Sequence, residues 1–199
     1  IYAPGIADTS NVAILSYLGV DLFDTSLVDH RAALGQLSLA EGSMASAKAG
    51  WVPEGSDLVA INREALFREL ALVRSMISSG RMREFAELRC HSTPWNVAAL
   101  RIFDDEHYQH QEIDYPVIGP RFYCNAKQSL VRPDVKRFRE LVKSRFHRPE
   151  HRKILLLIPC SAKKPYYTSK SHQLFRQVLW EVPNSQVVQE MIVTSPLGT

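Results

Sequence analysis

The side chains best suited to chemistry stand together in one segment, Pro159–His172, which reads Pro-Cys-Ser-Ala-Lys-Lys-Pro-Tyr-Tyr-Thr-Ser-Lys-Ser-His. A thiol near lysines, an imidazole and the amino end of a helix has its thiolate favoured, because each of these groups stabilises negative charge on sulfur. Cys160 therefore has the surroundings of a nucleophile. His172 follows it by 12 residues and can return across the loop as a general acid or base.

The other polar residues of this segment suit supporting roles. Lys163, Lys164 and Tyr166 can orient a substrate or stabilise a developing charge. Ser169 or Ser171 can cap the helix that follows, and the amino end of that helix offers positive potential and free N–H groups to an anion. The alternative is that the cysteine is a small buried packing residue, which is the commoner role of a single cysteine after a strand.

Two regular elements must position these residues. The run Lys153–Ile158 is continuously apolar after its lysine, is too short for a helix and ends at Pro159, which predicts a strand buried on both faces in a parallel sheet. A helix is predicted after the segment from the spacing of Leu174, Phe175, Val178 and Leu179. Ligands of open α/β sheets bind outside the carboxyl ends of the strands, so this strand, loop and helix order places the segment where a ligand is expected.

The charge of the chain is divided along its length. The net charge is only +3, yet residues 121–176 hold 15 lysines and arginines against three acidic residues, a local charge of +12 that leaves −9 for the remainder. Such a basic block is the electrostatic footprint of a protein that binds a polyanion such as nucleic acid. A solvated basic helix is the other reading that the charge allows.

Upstream, strands and helices alternate before the pattern becomes helical. Thr9-Ser10-Asn11 can cap a helix that Gly19 ends, and Val20–Asp24 alternates like a short strand, so residues 1–40 predict a parallel strand, helix and strand unit. A Gly-, Ser- and Ala-rich linker or loop is expected over 41–58. Further helices are predicted over 62–78, 81–89, 94–103 and 133–146, with a polar, turn-rich stretch between Asp104 and Pro120.

Composition excludes several classes of protein. No apolar run approaches the roughly 20 residues that cross a bilayer, and the amino end lacks the features of a signal peptide. Cys90, Cys124 and Cys160 stand 34 and 36 residues apart, so neither a disulfide framework nor a paired-cysteine zinc site is encoded. We expect reduced thiols in a cytoplasmic protein, with no metal and no cofactor.

The segment Pro159–His172 also carries a resemblance to a known family. It matches every fixed position of the pattern Pro-Cys-x3-Lys-Pro-Tyr-x2-Ser-x2-His, which marks the catalytic domain of the archaeosine synthase family. The segments Arg121–Pro133 and Val193–Gly198 look like the same family. Residues 1–43 resemble the closing part of the tRNA-guanine transglycosylase barrel that forms the amino-terminal domain of these synthases.

The resemblance implies a tRNA-modifying enzyme, an amidinotransferase. The family acts on 7-cyano-7-deazaguanine already placed in the D-loop of archaeal tRNA and converts its nitrile toward the amidine of archaeosine. Glutamine or lysine supplies the nitrogen in different members. The implied partners are tRNA and an amino-acid nitrogen donor, while the donor used here, the participation of a radical enzyme and the formation of a homodimer stay open.

The matched motif and the chemistry of the segment together assign roles to residues. The predicted catalytic residues are Cys160, His172, Lys164, Tyr166 and Ser169. The predicted substrate-binding residues are Ser161, Lys163, Pro165 and Ser171. Contacts with tRNA phosphates need charge and reach but little defined geometry, so we assign them to basic residues of the block. They are Arg121, Lys127, Arg132, Lys136, Arg137 and Arg139. Cys124 lies in a family segment and is left open.

The predicted fold is α/β in three parts. Residues 1–43 are expected to be a remnant of a transglycosylase-like β/α barrel, 44–120 a linker and helical connector, and 121–199 a doubly wound, Rossmann-like catalytic domain of three layers. We expect this domain to continue beyond Thr199. The catalytic aspartates of a transglycosylase would lie before residue 1, so base exchange is not assigned to this chain. Ser43–Asn62 lacks the cysteines and histidine that hold zinc in the family, and no zinc is predicted.

Two other functions stay open at this point. One is a different thiol-dependent transferase or amidohydrolase that acts on a small nitrile or amide. The other is a tRNA-binding module, built on the basic block, that delivers its substrate to a partner. Activity on free small molecules would favour the first, and salt-dependent tRNA binding without an activity that needs Cys160 would favour the second.

Overall fold

The computed structural model describes residues 1–115, 119 and 121–195 and divides into two compact units, Ile1–Pro133 and Asp134–Thr199. The helices are α1 Val12–Tyr17, α2 Ser26–Ala33, α3 Leu58–Ser78, α4 Met82–Arg89, α5 Pro94–Glu106, α6 Tyr108–Asp114, α7 Pro133–Arg145 and α8 Lys170–Glu181. The strands are β1 Gln36–Leu39, β2 Gly42–Ala45, β3 Ile154–Pro159 and β4 Val188–Val193. The predicted mixed α/β class is confirmed, and no described helix is long and apolar enough to span a membrane.

The first unit is built around α3, the longest helix. Its apolar stripe buries Leu66 and Val73, and it starts four residues before the predicted Asn62 because the carboxylate of Asp57 caps it, accepting hydrogen bonds from two backbone N–H groups at 3.0 and 3.1 Å. Gly80, with a φ of +68°, ends the helix as predicted. The helices predicted over 81–89 and 94–103 are confirmed as α4 and α5, the latter running three residues further.

The prediction of a linker or loop over 41–58 is wrong in its first part, where β2 forms an antiparallel hairpin with β1. Small residues give β2 little strand propensity, and its pairing is what defines it. The stretch from 104 to 120 likewise contains α6, a polar helix in which the buried Gln111 donates to the Phe103 carbonyl oxygen at 2.9 Å. The strand expected over Val20–Asp24 shrinks to one parallel bridge between Tyr2 and Leu22.

A buried polar network centred on Arg83 of α4 holds the first unit together. The guanidinium donates to both carboxylate oxygens of Asp104 on α5, at 2.5 and 2.8 Å, and its Nε donates to Glu87 at 2.9 Å. It also donates to the Gln128 carbonyl oxygen at 3.1 Å and lies over the ring of Tyr17 on α1. Burial opposes the charge, but the hydrogen bond to Asp104 leads the interactions that hold the pKa of Arg83 above its ordinary value.

The network extends to the family segment Arg121–Pro133. Glu87 accepts a hydrogen bond from the Ser129 hydroxyl at 2.5 Å, and the Tyr123 N–H donates to Glu84 at 3.2 Å. This segment, which we assigned to the catalytic domain, therefore has contacts with α4 of the first unit. The three-part division of the chain stays a prediction.

The second unit contains two parallel strands, with β3 paired to β4 from Ile154 opposite Val188 to Pro159 opposite Val193. The predicted strand, loop, helix order is confirmed, and so is the helix over 133–146, as α7. Burial of β3 on both faces is wrong: Ile154–Leu157 are 37 to 57% exposed, and only Ile158 is buried. In the described part of the chain β3 has one neighbouring strand. Its apolar side chains are typical of the interior of a larger sheet, and most of them stay exposed here.

Candidate active site

The segment Pro159–His172 lies where two parallel strands end. β3 and β4 finish opposite each other at Pro159 and Val193, so the loop after β3 and Thr194 after β4 emerge at the same edge of the sheet. The loop passes through a short 3₁₀ turn, Tyr166–Thr168, and enters α8 at Lys170. Of the two serines predicted as caps of α8, Ser169 is the one in that place: its buried hydroxyl accepts a hydrogen bond from the His172 N–H at 3.3 Å.

Cys160 is the first residue after β3, and its thiol is exposed. Packing therefore does not explain it, and the reading of this cysteine as a buried core residue loses its support. Lys163 and Lys164 are also exposed, and the Lys164 ammonium lies 5.9 Å from the centre of the Tyr166 ring. The loop that begins at this exposed cysteine thus carries positive charge and a phenol.

His172 is turned inward rather than toward solvent. It is 4% exposed, and its Nε2 lies 3.0 Å from the carbonyl oxygen of Pro159. A carbonyl oxygen only accepts, so Nε2 carries the proton and donates it to this bond. The imidazole thereby links the start of α8 to the end of β3, next to Cys160. While this hydrogen bond is present, the Nε2 proton is not available to another acceptor.

Tyr166 connects the histidine to the second strand. Its ring stacks on the His172 imidazole with the centroids 5.3 Å apart and an angle of 16° between the planes. Phe175 packs edge-on against the same imidazole, with the centroids 5.6 Å apart. The Tyr166 hydroxyl lies 2.5 Å from the Thr194 hydroxyl. Four residues from β3, the loop, α8 and the end of β4 are thus linked, and one of them, Pro159, directly precedes Cys160.

The remaining predicted residues lie on the loop or at the start of α8. Ser169 and Ser171 lie together at the start of α8, with their hydroxyl oxygens 3.3 Å apart, and the Ser161 hydroxyl accepts from the Lys163 N–H at 3.3 Å. Pro165 opens the 3₁₀ turn, and its carbonyl oxygen accepts from Thr168. All nine residues of the predicted catalytic and substrate-binding sets therefore lie on the loop after β3 or on the first turn of α8.

The predicted tRNA contacts are more dispersed. Arg121 and Lys127 are exposed in the first unit. Arg132 is only 3% exposed, since its guanidinium stacks over the Phe122 ring at 4.0 Å and donates to the Tyr115 hydroxyl at 2.8 Å, so it has no surface to offer a phosphate. The three basic residues on α7 are partly exposed and have interactions within the protein: Lys136, Arg137 and Arg139.

The two other cysteines have different surroundings. Cys90 is fully buried, and burial, followed by the negative charge of Glu87, raises the pKa of its thiol to about 11, so it remains protonated at neutral pH. Cys124 is half-buried and has an interaction within the protein. Cys160 is the most accessible of the three. Within the described ranges, no three His, Cys, Asp or Glu residues converge as metal ligands would.

Thr194 is the residue of this site that the sequence reasoning missed. The signal was present, because the family segment Val193–Gly198 includes Thr194, but a lone hydroxyl gave no reason to place it against Tyr166. The contact between Thr194 and Tyr166 depends on the pairing of β3 with β4, which could not be predicted from the sequence. The end of that family segment, residues 196–198, lies outside the described residues.

Comparison with known proteins shows which proteins the chain is similar to. Residues 135–199 match a family model described as a domain of unknown function, DUF5591. The whole chain is 34% identical to the archaeosine synthase subunit alpha of Methanosarcina acetivorans, and 98% of it is 32% identical to the archaeosine synthase of Haloferax volcanii. A tRNA-guanine(15) transglycosylase of M. acetivorans is 27% identical over 63% of the chain and 29% of its own length.

The chain spans about a third of the length of the curated synthases it matches, 35% and 34% for the two named above. The similarity to each nevertheless extends over all or nearly all of the chain, including both structural units. The resemblance drawn from the cysteine motif is confirmed at the level of the family. The chain belongs to the archaeosine synthase family.

Proposed function

We propose that this chain carries the thiol chemistry of an archaeosine synthase, converting the nitrile of 7-cyano-7-deazaguanine in archaeal tRNA toward an amidine. One observation supports this above the others: Cys160 is exposed at the carboxyl end of β3 and is followed by the lysines and tyrosine of the loop. Such a strand end is where open α/β sheets bind ligands.

The reaction needs two steps at one carbon. The Cys160 sulfur adds to the nitrile carbon, forming an S–C bond, and the nitrile nitrogen takes up a proton, which gives a thioimidate. A donor amine then attacks the same carbon, the S–C bond breaks, and the sulfur leaves as thiolate or thiol while the new C–N bond gives the amidine. The oxidation state of the carbon does not change, so no redox partner is needed for these steps.

The protein must also move protons and hold charge. We assign proton delivery to the nitrile nitrogen to Tyr166, whose hydroxyl can donate and accept at once. His172, predicted as an acid or base, is assigned to holding the strand end, because its Nε2 proton is bound to Pro159. Lys163 and Lys164 are exposed and can stabilise the thiolate and any nearby phosphate.

Several further features of the protein are proposed on the strength of the family resemblance. They include a barrel remnant in residues 1–43, a Rossmann-like domain around β3, β4 and α8, a glutamine or lysine donor, a cytoplasmic location and assignment to the transferases of nitrogenous groups. The parallel pairing of β3 and β4 supports the second of these, since parallel strands joined through a helix are the unit of such sheets.

Mass spectrometry tests the thioimidate. Incubating the protein with 7-cyano-7-deazaguanine or with tRNA carrying it, in the absence of a donor amine, should add the full mass of the substrate to the thiol, because addition to a nitrile releases no leaving group. Trypsin separates the three cysteines, with Cys160 on the peptide Ile154–Lys163. The adduct is expected on that peptide.

The other cysteines serve as internal controls. Cys90 should stay unmodified because it is buried and protonated at neutral pH. An adduct confined to Cys124, or repeated absence of any adduct from folded protein that still turns over tRNA, would contradict the assignment.

The exposed basic residues upstream support tRNA binding. Replacing Lys127 with alanine should weaken tRNA binding and lower the slope of log affinity against log salt by about 1, because one phosphate contact and its counterion release are lost. Fluorescence anisotropy with labelled tRNA over a salt series measures this. Lys48→Ala is the matched control, since Lys48 is an exposed lysine outside the basic block. Equal slopes for the two variants would remove Lys127 from the tRNA surface.

A further inference from the structure

The hydroxyl of Thr194 lies at the end of β4, against the hydroxyl of Tyr166. It follows β4 directly, at the same sheet edge from which Cys160 emerges, and its only described side-chain partner is the Tyr166 hydroxyl at 2.5 Å. The neighbouring Ser195 is exposed and has no described side-chain hydrogen bond. One of two adjacent hydroxyls is therefore engaged at the site and the other is not.

Tyr166 is held on two sides by this arrangement. Its ring face rests on His172, which is itself fixed to the Pro159 carbonyl oxygen, while its hydroxyl meets Thr194. Stacking alone leaves a ring free to slide in its plane, whereas a hydrogen bond at the far end of the phenol fixes where the oxygen lies. The position of the phenolic oxygen thus depends on Thr194.

We propose that Thr194 is a positioning residue for the reaction at Cys160, acting through the hydroxyl of Tyr166. This inference rests on the proposed function, in which Tyr166 delivers a proton to the nitrile nitrogen. Thr194 does not touch the reacting atoms. It holds the phenol in position to protonate the nitrile nitrogen as the thiol adds, a step at which a small misplacement lowers the rate strongly.

The test is a double-substitution cycle in the full-length protein with tRNA carrying 7-cyano-7-deazaguanine. Thr194→Val keeps the shape of the side chain and removes its hydroxyl, and should lower kcat about five- to tenfold with KM unchanged, the size expected for one hydrogen bond. Thr194→Ser should restore kcat to within about twofold. Ser195→Ala should match the unmodified protein. Far-ultraviolet circular dichroism checks that each variant is folded.

Tyr166→Phe completes the cycle. If Thr194 acts through the Tyr166 hydroxyl, adding Thr194→Val to Tyr166→Phe costs nothing further, and the two effects are strongly non-additive. The proposal would be overturned if the effects of the two substitutions on kcat multiply in the double variant. An unchanged kcat in Thr194→Val, or a rise in KM instead of a fall in kcat, would also overturn it.

Failure of the proposed function gives a different result. In that case Cys160→Ala keeps its turnover, whatever the Thr194 variants do. Loss of turnover in Cys160→Ala combined with full turnover in Thr194→Val would leave the nucleophile in place and reject the positioning role alone.

Discussion

Replacing Cys160 with alanine is expected to lower turnover of tRNA carrying 7-cyano-7-deazaguanine by at least about 10⁴-fold, as loss of a nucleophile does in enzymes with covalent intermediates. The thiol is exposed and has no described hydrogen bond, so its removal should leave the fold and the tRNA affinity unchanged. Discontinuous assay of modified nucleosides by liquid chromatography gives the turnover, and anisotropy gives the affinity. Loss of the first with retention of the second is the expected pattern.

Two companion variants sharpen this result. Cys160→Ser keeps a nucleophilic atom of smaller size but much weaker reactivity at neutral pH, and it should be nearly as inactive as the alanine variant. Cys124→Ser asks whether the second cysteine of a family segment contributes, and turnover close to normal would assign the chemistry to Cys160. Retained turnover in Cys160→Ala would exclude a Cys160 thioimidate.

The second large effect is expected on stability, at Arg83. Arg83→Met fills a similar volume but leaves the carboxylates of Asp104 and Glu87 buried without their cation, which costs about 3 to 5 kcal/mol in comparable buried pairs. Urea denaturation followed by circular dichroism measures the free energy of unfolding. Hydrogen exchange with mass spectrometry should locate the lost protection in α4, α5 and the segment Lys127–Val131.

An exposed ion pair provides the matched control. Arg63 binds Asp29 through two hydrogen bonds at 2.7 and 2.8 Å, but both side chains have access to solvent. Arg63→Met should therefore cost far less stability than Arg83→Met, because solvent and salt screen an exposed pair. Similar losses in the two methionine variants would mean that the Arg83 network contributes no more than a surface pair. If Arg83→Met fails to fold while Arg63→Met folds, the prediction holds in its strongest form.

The place of the segment Pro159–His172 in the fold could be predicted from the sequence, whereas several elements elsewhere could not. Chemistry-bearing residues clustered in one segment, and the apolar run before it gave a strand whose end fixes where that segment must lie. The capping role of Ser169 followed from local rules alone. The elements that were missed depend on contacts outside their own residues: β2 is a strand because it pairs with β1, and α6 lacks an apolar stripe but is held through Gln111.

His172 shows the same limit within the site. From spacing, an imidazole 12 residues after a cysteine suggests acid or base catalysis, and nothing local indicates which way the ring turns. The structure turns it inward to Pro159, and the Tyr166 ring covers one face. Arg132 is a parallel case, since a basic residue in a basic block was expected on the surface and is instead stacked on Phe122. Charge patterns predict a polyanion partner without identifying the side chains that meet it.

The apolar strand β3 has a practical consequence for work with this chain. Ile154–Leu157 present uncharged, branched side chains on a strand that pairs along one edge only within the described residues. An open edge of this composition is a template for pairing between molecules. Concentrated solutions of the isolated chain should therefore self-associate through β3, and a lysine placed at Leu155 would be the simplest way to keep samples monodisperse.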